Sequence, residues 1–152
     1  MNDYTISSIN DVVLVTLSNV PNSTAALADI FKAIGEFQIN VDMICQTAPY
    51  KDTTEISFTI DQTDLTKTLA VIGQIKESCD NLFTEISTGN CKFIIHSELL
   101  KTQSGIAARL FNVMAENGLQ IKLITTSDVE ISILLDSSEF DKVEDVLKKE
   151  FQ

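Results

Sequence analysis

The chain has 152 residues, 44% hydrophobic and 22% charged, a balance that suits one sizeable core or two small ones and excludes disorder. Its formal net charge of -11, with Arg109 as the single arginine, excludes a role that depends on gripping nucleic-acid phosphates or an anionic membrane. No apolar run approaches bilayer length, and the amino-terminal MNDYT lacks the basic and apolar regions of a signal peptide, so a cytoplasmic protein is expected.

Tyr4 to Ile9 reads as a short extended piece, after which Asp11 opens a strand over Val12-Val13-Leu14-Val15-Thr16-Leu17. Asn19 to Thr24 is a turn in which Asn22 or Ser23 can cap a helix. Leu27, Ile30, Phe31, Ile34 and Phe37 then recur at three- and four-residue steps, opposite Asp29, Lys32 and Glu36, which predicts an amphipathic helix. Ile39 to Gln46 follows as an alternating strand, with Val41, Met43 and Cys45 on one face and Asn40, Asp42 and Gln46 on the other. Pro49 stops the ladder in the loop Ala48 to Thr53, and Ile56, Phe58 and Ile60 alternate in a partner strand. Asp61 or Thr63 caps a second helix whose buried stripe is Leu65, Leu69, Ile72 and Ile75, and Leu82 to Ser87 is a weak strand before Gly89-Asn90. Cys45, Cys79 and Cys91 are an odd number at wide spacing with one histidine, His96. They read as reduced, mostly buried thiols, and neither a metal nor a cofactor is expected.

The chain then repeats itself. Shifted by 80 positions, Val13 falls on Phe93, Ala28 on Ala108, Ile30 on Leu110, Phe31 on Phe111, Glu36 on Glu116, Val41 on Ile121 and Ile44 on Ile124. Past the loop the offset becomes 75, placing Glu55 on Glu130, Ile56 on Ile131, Ser57 on Ser132, Asp61 on Asp136 and Leu65 on Phe140. Each unit reads strand, helix, strand, strand, helix, an α+β ferredoxin-like βαββαβ plan with antiparallel sheets and helices on one face. The second unit ends directly after the helix from Ser138 to Glu150, which leaves it one strand short, while Tyr4 to Ile9 is spare. The expected domains are therefore 11–88, and 91–152 completed by the N-terminal strand 4–9, interleaved rather than in series. Deleting residues 1–10 is expected to destabilise the second selectively.

The duplicated pattern resembles the paired ACT domains at the carboxyl end of aspartokinase, over nearly the whole chain. The residues that carry the likeness are VDMICQ followed by TEISFTI in the first unit, and SGIAARLF with NGLQIKLITTSDVEISILLD in the second. Upstream of Tyr4 there is no kinase domain, and Gly35, Gly73, Gly89, Gly105 and Gly118 make no phosphate loop, so a separate regulatory subunit or free-standing sensor is expected. The resemblance implies an amino acid of the lysine or threonine class, held at an interface between ACT units. It points to Asn22, Ser23 and Ala25 in the first helix-start loop, to Asn40, Val41 and Asp42 at the strand start, and to Gln46 toward the strand end. In the second unit it points to Ser104, Gly105, Ile106 and Ala107, to Gln120 and Ile121, and to Thr126, Ser127 and Asp128. Backbone N–H groups at a helix start can hold the ligand carboxylate, and Asp42 or Asp128 its ammonium. Asp42 also reads as a solvated strand residue, and Ser127-Asp128 as a tight hairpin turn.

Several positions depart from the family pattern. The first loop reads Pro21-Asn22-Ser23-Thr24-Ala25 where the family has proline, aspartate, arginine, proline, glycine. Ala25 takes a positive φ less readily than glycine and sets a methyl group where a carboxylate would approach. Gly105 is retained, but Gln120 replaces the common asparagine and Lys122 an acidic residue, so Lys122 would repel a ligand ammonium unless it turns away. His96 lies in a strand without an obvious partner and Arg109 on a helix, so phosphoryl or acyl-phosphate chemistry lacks its nucleophile and its arginine cradle. Together these readings give a non-enzyme: an allosteric, amino-acid-binding ACT protein, homodimeric, with an aspartokinase catalytic subunit as partner. The alternative is a free-standing ACT pairing protein with degenerate ligand sites.

Overall fold

The computed structural model describes residues 3–152, so the first two residues of the MNDYT stretch lie outside it. Along the described chain run β1 (Thr5–Pro21), α1 (Thr24–Glu36), β2 (Ile44–Gln46), β3 (Thr53–Asp61), α2 (Leu65–Ser78), β4 (Phe83–His96), α3 (Ile106–Glu116), β5 (Leu123–Thr126), β6 (Glu130–Asp136) and α4 (Phe140–Phe151). They form two compact units. One is Val12–Thr88; the other is Gly89–Gln152 together with the chain's start up to Asp11.

In the unit Val12–Thr88 the strand order is β2-β3-β1-β4, with β3 antiparallel to both its neighbours. Pairing Val13 with Ile60, Val15 with Phe58 and Leu17 with Ile56 turns six apolar side chains to one face. They pack with Ile30 and Ile34 of α1 and Val71, Ile72 and Ile75 of α2. Each such buried side chain contributes about 1.5–3 kcal/mol. On the other face the hydroxyls of Thr16 and Ser57 meet at 3.0 Å across the ladder.

The unit that ends at Gln152 repeats this plan in the order β1-β4-β6-β5. Cys91, Phe93 and Ile95 of β4 and Ile131, Ile133 and Leu135 of β6 pack with Leu110 and Met114 of α3 and Val143, Leu147 and Phe151 of α4. The N-terminal segment belongs to this core. Tyr4 is buried with its ring 5.1 Å from that of Phe151, Ile6 packs against the same cluster, and Ser97 Oγ donates to the Asp3 carbonyl at 2.6 Å. Arg109 is stacked over Phe151 at 4.6 Å and over Tyr4 at 5.8 Å, and bonds the Glu150 carboxylate, clasping the two ends of the chain.

The structure corrects several expectations. The expected pieces 4–9 and 12–17 join in one strand, Thr5–Pro21, and the pieces 82–87 and 92–96 join in another, Phe83–His96. The unit boundaries fall at Asp11 in β1 and Gly89 in β4, both in the left-handed region, at φ 56° and 70°. The single offset of the repeat also hides a slip in the first strand. Val12 pairs with Asp61 as Asn90 pairs with Asp136, so Val13 corresponds to Cys91 rather than to Phe93. The stripe of α2 is rotated: Leu69 is 53% exposed, and Thr68 is buried with its hydroxyl donated to the Asp64 carbonyl at 2.8 Å. Of the three thiols only Cys91 is buried; Cys45 and Cys79 are half-buried.

Candidate functional site

The first four N–H groups of a helix have no intrahelical acceptor, so its start can hold an anion unless something else caps it. In α1 Ser23 is the N-cap, and its Oγ accepts from the Ala26 N–H at 3.2 Å. The Asn22 N–H is spent on the Asp52 carbonyl at 2.9 Å. Helix geometry leaves the amides of Thr24 and Ala25 pointing outward. Ala25 lies inside the first turn of α1, so the expected conflict between its methyl group and a positive φ does not arise: Ser23 starts the helix earlier than the glycine-bearing pattern would.

The start of α3 is built differently. Gly105 is the N-cap, at φ 87°, and has no side chain with which to cap the helix, so the N–H groups of Ile106, Ala107 and Ala108 have no side-chain acceptor from it. Ser104, Gly105 and Ala107 are exposed, and Ile106 is anchored in the core. Nearby, Lys101 binds Glu98 at 2.7 Å and reaches Asp128 at 4.0 Å. The Lys101 ammonium holds the Glu98 carboxyl below its ordinary range, and Glu98 in turn raises Lys101.

At the strand starts, Asn40, Asp42 and Gln46 are exposed and Val41 and Cys45 half-buried, the expected alternation. The ladder itself is shorter than expected. Regular pairing begins at Ile44, and before it the Asp42 N–H bonds the Thr59 carbonyl at 3.0 Å while the Met43 N–H bonds the Thr59 hydroxyl at 2.9 Å. In the second unit the Lys122 N–H bonds the Leu134 carbonyl at 2.8 Å, so Lys122 occupies the place of Asp42. Its side chain does turn away, but onto partners rather than into solvent: Nζ donates to Asn90 Oδ1 at 2.6 Å and lies 3.4 Å from Asp136 Oδ2. Gln120 is exposed and Ile121 half-buried, and both line a cavity of about 410 Å³ with Phe111, Met114, Leu119 and Ile124.

Ser127 is used by its own turn. Its Oγ accepts from the N–H groups of Val129 and Glu130, at 3.2 and 3.1 Å, and its N–H bonds the Glu130 carbonyl. The hairpin reading therefore describes Ser127, while the neighbouring Asp128 stays 73% exposed.

These residues do not meet in one place within a unit. The helix-start loop lies at the end of β3 near Thr53, which pairs with Pro21, whereas Asp42 lies opposite Thr59 at the other end. The 13 residues of α1 span roughly 20 Å between the two ends. Gln46, opposite Ile56, sits toward the loop end, as Thr126 to Asp128 do beside Lys101. The expected site residues do not include Asn90 or Asp136. Asn90, named in the sequence only as following the weak strand with Gly89, is fully buried in β4, and Asp136 appears there only as the repeat of Asp61. Among the described residues no cluster of His, Cys, Asp and Glu could hold a metal ion.

A family model described as ACT domain matches residues 15–74 and 95–151. The aspartokinase of Bacillus sp. strain MGA3 is 34% identical over 143 residues, which are 94% of this chain and 35% of that protein. The chain thus spans about a third of the length of the curated relatives it matches. A crystal structure of aspartokinase alpha and beta subunits superposes with a TM-score of 0.86 at 27% identity, covering 96% of each chain. The ligand-free regulatory subunit of aspartate kinase from Thermus thermophilus shares the fold, with a TM-score of 0.88 at 22% identity and 97% of each chain covered.

Proposed function

This chain belongs to the ACT domain family, and on that premise we propose that it is the amino-acid-sensing part of an aspartokinase, without a phosphotransfer site of its own. An α-amino acid needs an acceptor for its ammonium and donors for its carboxylate. The observation that carries the reading is how these are distributed: of the two helix starts that follow a unit's first strand, α1 and α3, the one without a side-chain cap is that of α3, and the exposed carboxylate at a strand start is Asp42. Because the two ends of a unit lie a helix length apart, the site forms between units of two copies of the chain. Antiparallel packing of one copy's α3 beside the other's α1 would set a helix start next to a strand start. The ligand, of the lysine or threonine class, then bridges the two copies and favours one arrangement of the dimer, and that difference passes to a kinase catalytic chain.

The test is a reconstitution. Added to an aspartokinase catalytic chain, this protein should make phosphoryl transfer respond to lysine or threonine, and Asp42→Ala should remove the response. A rate that stays indifferent to every amino acid defeats the proposal. One set of contacts favours a second reading, a pairing protein without a ligand: Ser23 caps α1, Ser127 is tied into its turn and Lys122 is paired. In that case the chain dimerises equally well with and without amino acids.

A further inference from the structure

The two units differ at one place in two residues at once. Where the first has Val12 and Asp42, the second has Asn90 and Lys122: Val12 pairs with Asp61 as Asn90 pairs with Asp136, and the Asp42 and Lys122 N–H groups bond the matching carbonyls of Thr59 and Leu134. Asn90 is 0% exposed in the interior of a strand, where an amide needs a partner. It finds one in the Lys122 ammonium at 2.6 Å, with Asp136 Oδ2 completing the cradle at 3.4 Å. The Lys122 side chain is 29% exposed, and its ammonium lies between the buried Asn90 amide and the 53% exposed Asp136 carboxylate. Asp136 is itself held in place, because its other oxygen, Oδ1, accepts from the Ser138 N–H at 3.0 Å.

We infer that Asn90 and Asp136 form a binding site for a primary ammonium group, and that Lys122 fills it as a built-in ligand. Two contacts and one comparison between the units support this assignment. The ammonium has three hydrogens to offer, Asn90 Oδ1 and Asp136 Oδ2 can take two, and a buried asparagine appears only in the unit that has the lysine. The second unit's strand start is then closed to an external amine, which leaves the first unit's Asp42 as the exposed acidic strand start. That consequence rests on the amino-acid reading proposed above; the ammonium site does not.

Chemical rescue tests the assignment without any amino acid. Lys122→Ala should lower the thermal midpoint, and ethylammonium chloride should restore part of the loss. Tetramethylammonium chloride at the same concentration, which has no N–H to donate, should not. The double variant Lys122→Ala with Asn90→Val, which takes the first unit's valine, should lose the rescue, and the wild-type chain should show none. Equal effects of the two salts, or rescue that survives Asn90→Val, would overturn the inference. Should Lys122→Ala fail to fold, the wild-type chain still decides. In a proton–nitrogen correlation spectrum the Lys122 ammonium, assigned through its own side-chain carbons to tell it from the buried Lys92, should exchange slowly with water, and a Lys122 ammonium that exchanges at the bulk rate would contradict the site. Absence of any amino-acid effect would remove the sensing role and leave the rescue result intact, so the two failures are distinguishable.

Discussion

Ser23 shows how one side chain resets a loop. By accepting the Ala26 N–H it begins α1 two residues before Ala25 would be called upon to bend, so Ser23→Ala should cost about 1 kcal/mol. In a chain of this size the thermal midpoint should fall roughly 2 to 4 °C. Gly105 does the opposite, keeping the start of α3 open at φ 87°. Thr84 carries a hydroxyl that is buried without a hydrogen-bond partner, so Thr84→Val, close in shape, should stabilise the fold by about 1 kcal/mol in urea denaturation. The paired caps Asp61 and Asp136 set the acid limb. The hydroxyl and then the N–H of Thr63 lower the Asp61 carboxyl; the N–H and hydroxyl of Ser138, with Lys122 nearby, lower Asp136. A carboxyl lowered by folding contributes stability that is fully present above its unfolded pKa and is lost as pH falls through the folded value. Stability should therefore decline as pH drops below about 4, and Asp61→Asn with Asp136→Asn should flatten that decline.

At the scale of elements, the alternation of β3 and the apolar stripe of α1 were legible because their core residues repeat with one unambiguous period. Three things were not. A two-residue slip between the first strands of the repeats leaves every side chain on the same face, so Val13 reads equally well against Cys91 or Phe93. Thr68 reads as polar and Leu69 as core until the Thr68 hydroxyl is seen bonded to Asp64, which lets the threonine go inside. The partners of Lys122 come from other strands, beyond the reach of local spacing. The N-terminal strand was legible by counting, and its contacts make a prediction. Deleting residues 1–10 removes Tyr4 and Ile6 from the core around Phe151 and opens the Ser97 contact. Amide exchange should accelerate at residues 91–97 and much less at residues 55–60. Unchanged exchange at 91–97 would show that the strand is dispensable there.

For the whole molecule, each unit is near the lower limit for an independent core, so side-by-side pairing of chains is the expected means of covering the half-exposed Ile44, Phe111 and Ile124. The two units have diverged at matched positions: the first has Asp42 at its strand start, and the second has Gly105, without a side-chain cap, at its first helix start. The expected effector residues rest on a family pattern. That those of one unit lie a helix length apart was not legible, because sequence spacing does not report distance across a unit. The most direct check on amino-acid sensing is the thermal midpoint of the intact chain in a panel of lysine, threonine and methionine. A ligand at a hundred times its dissociation constant adds ~2.7 kcal/mol, which should raise the midpoint by roughly 5 to 11 °C. Asp42→Ala should abolish that rise. A flat panel at millimolar concentrations of all three would contradict the account.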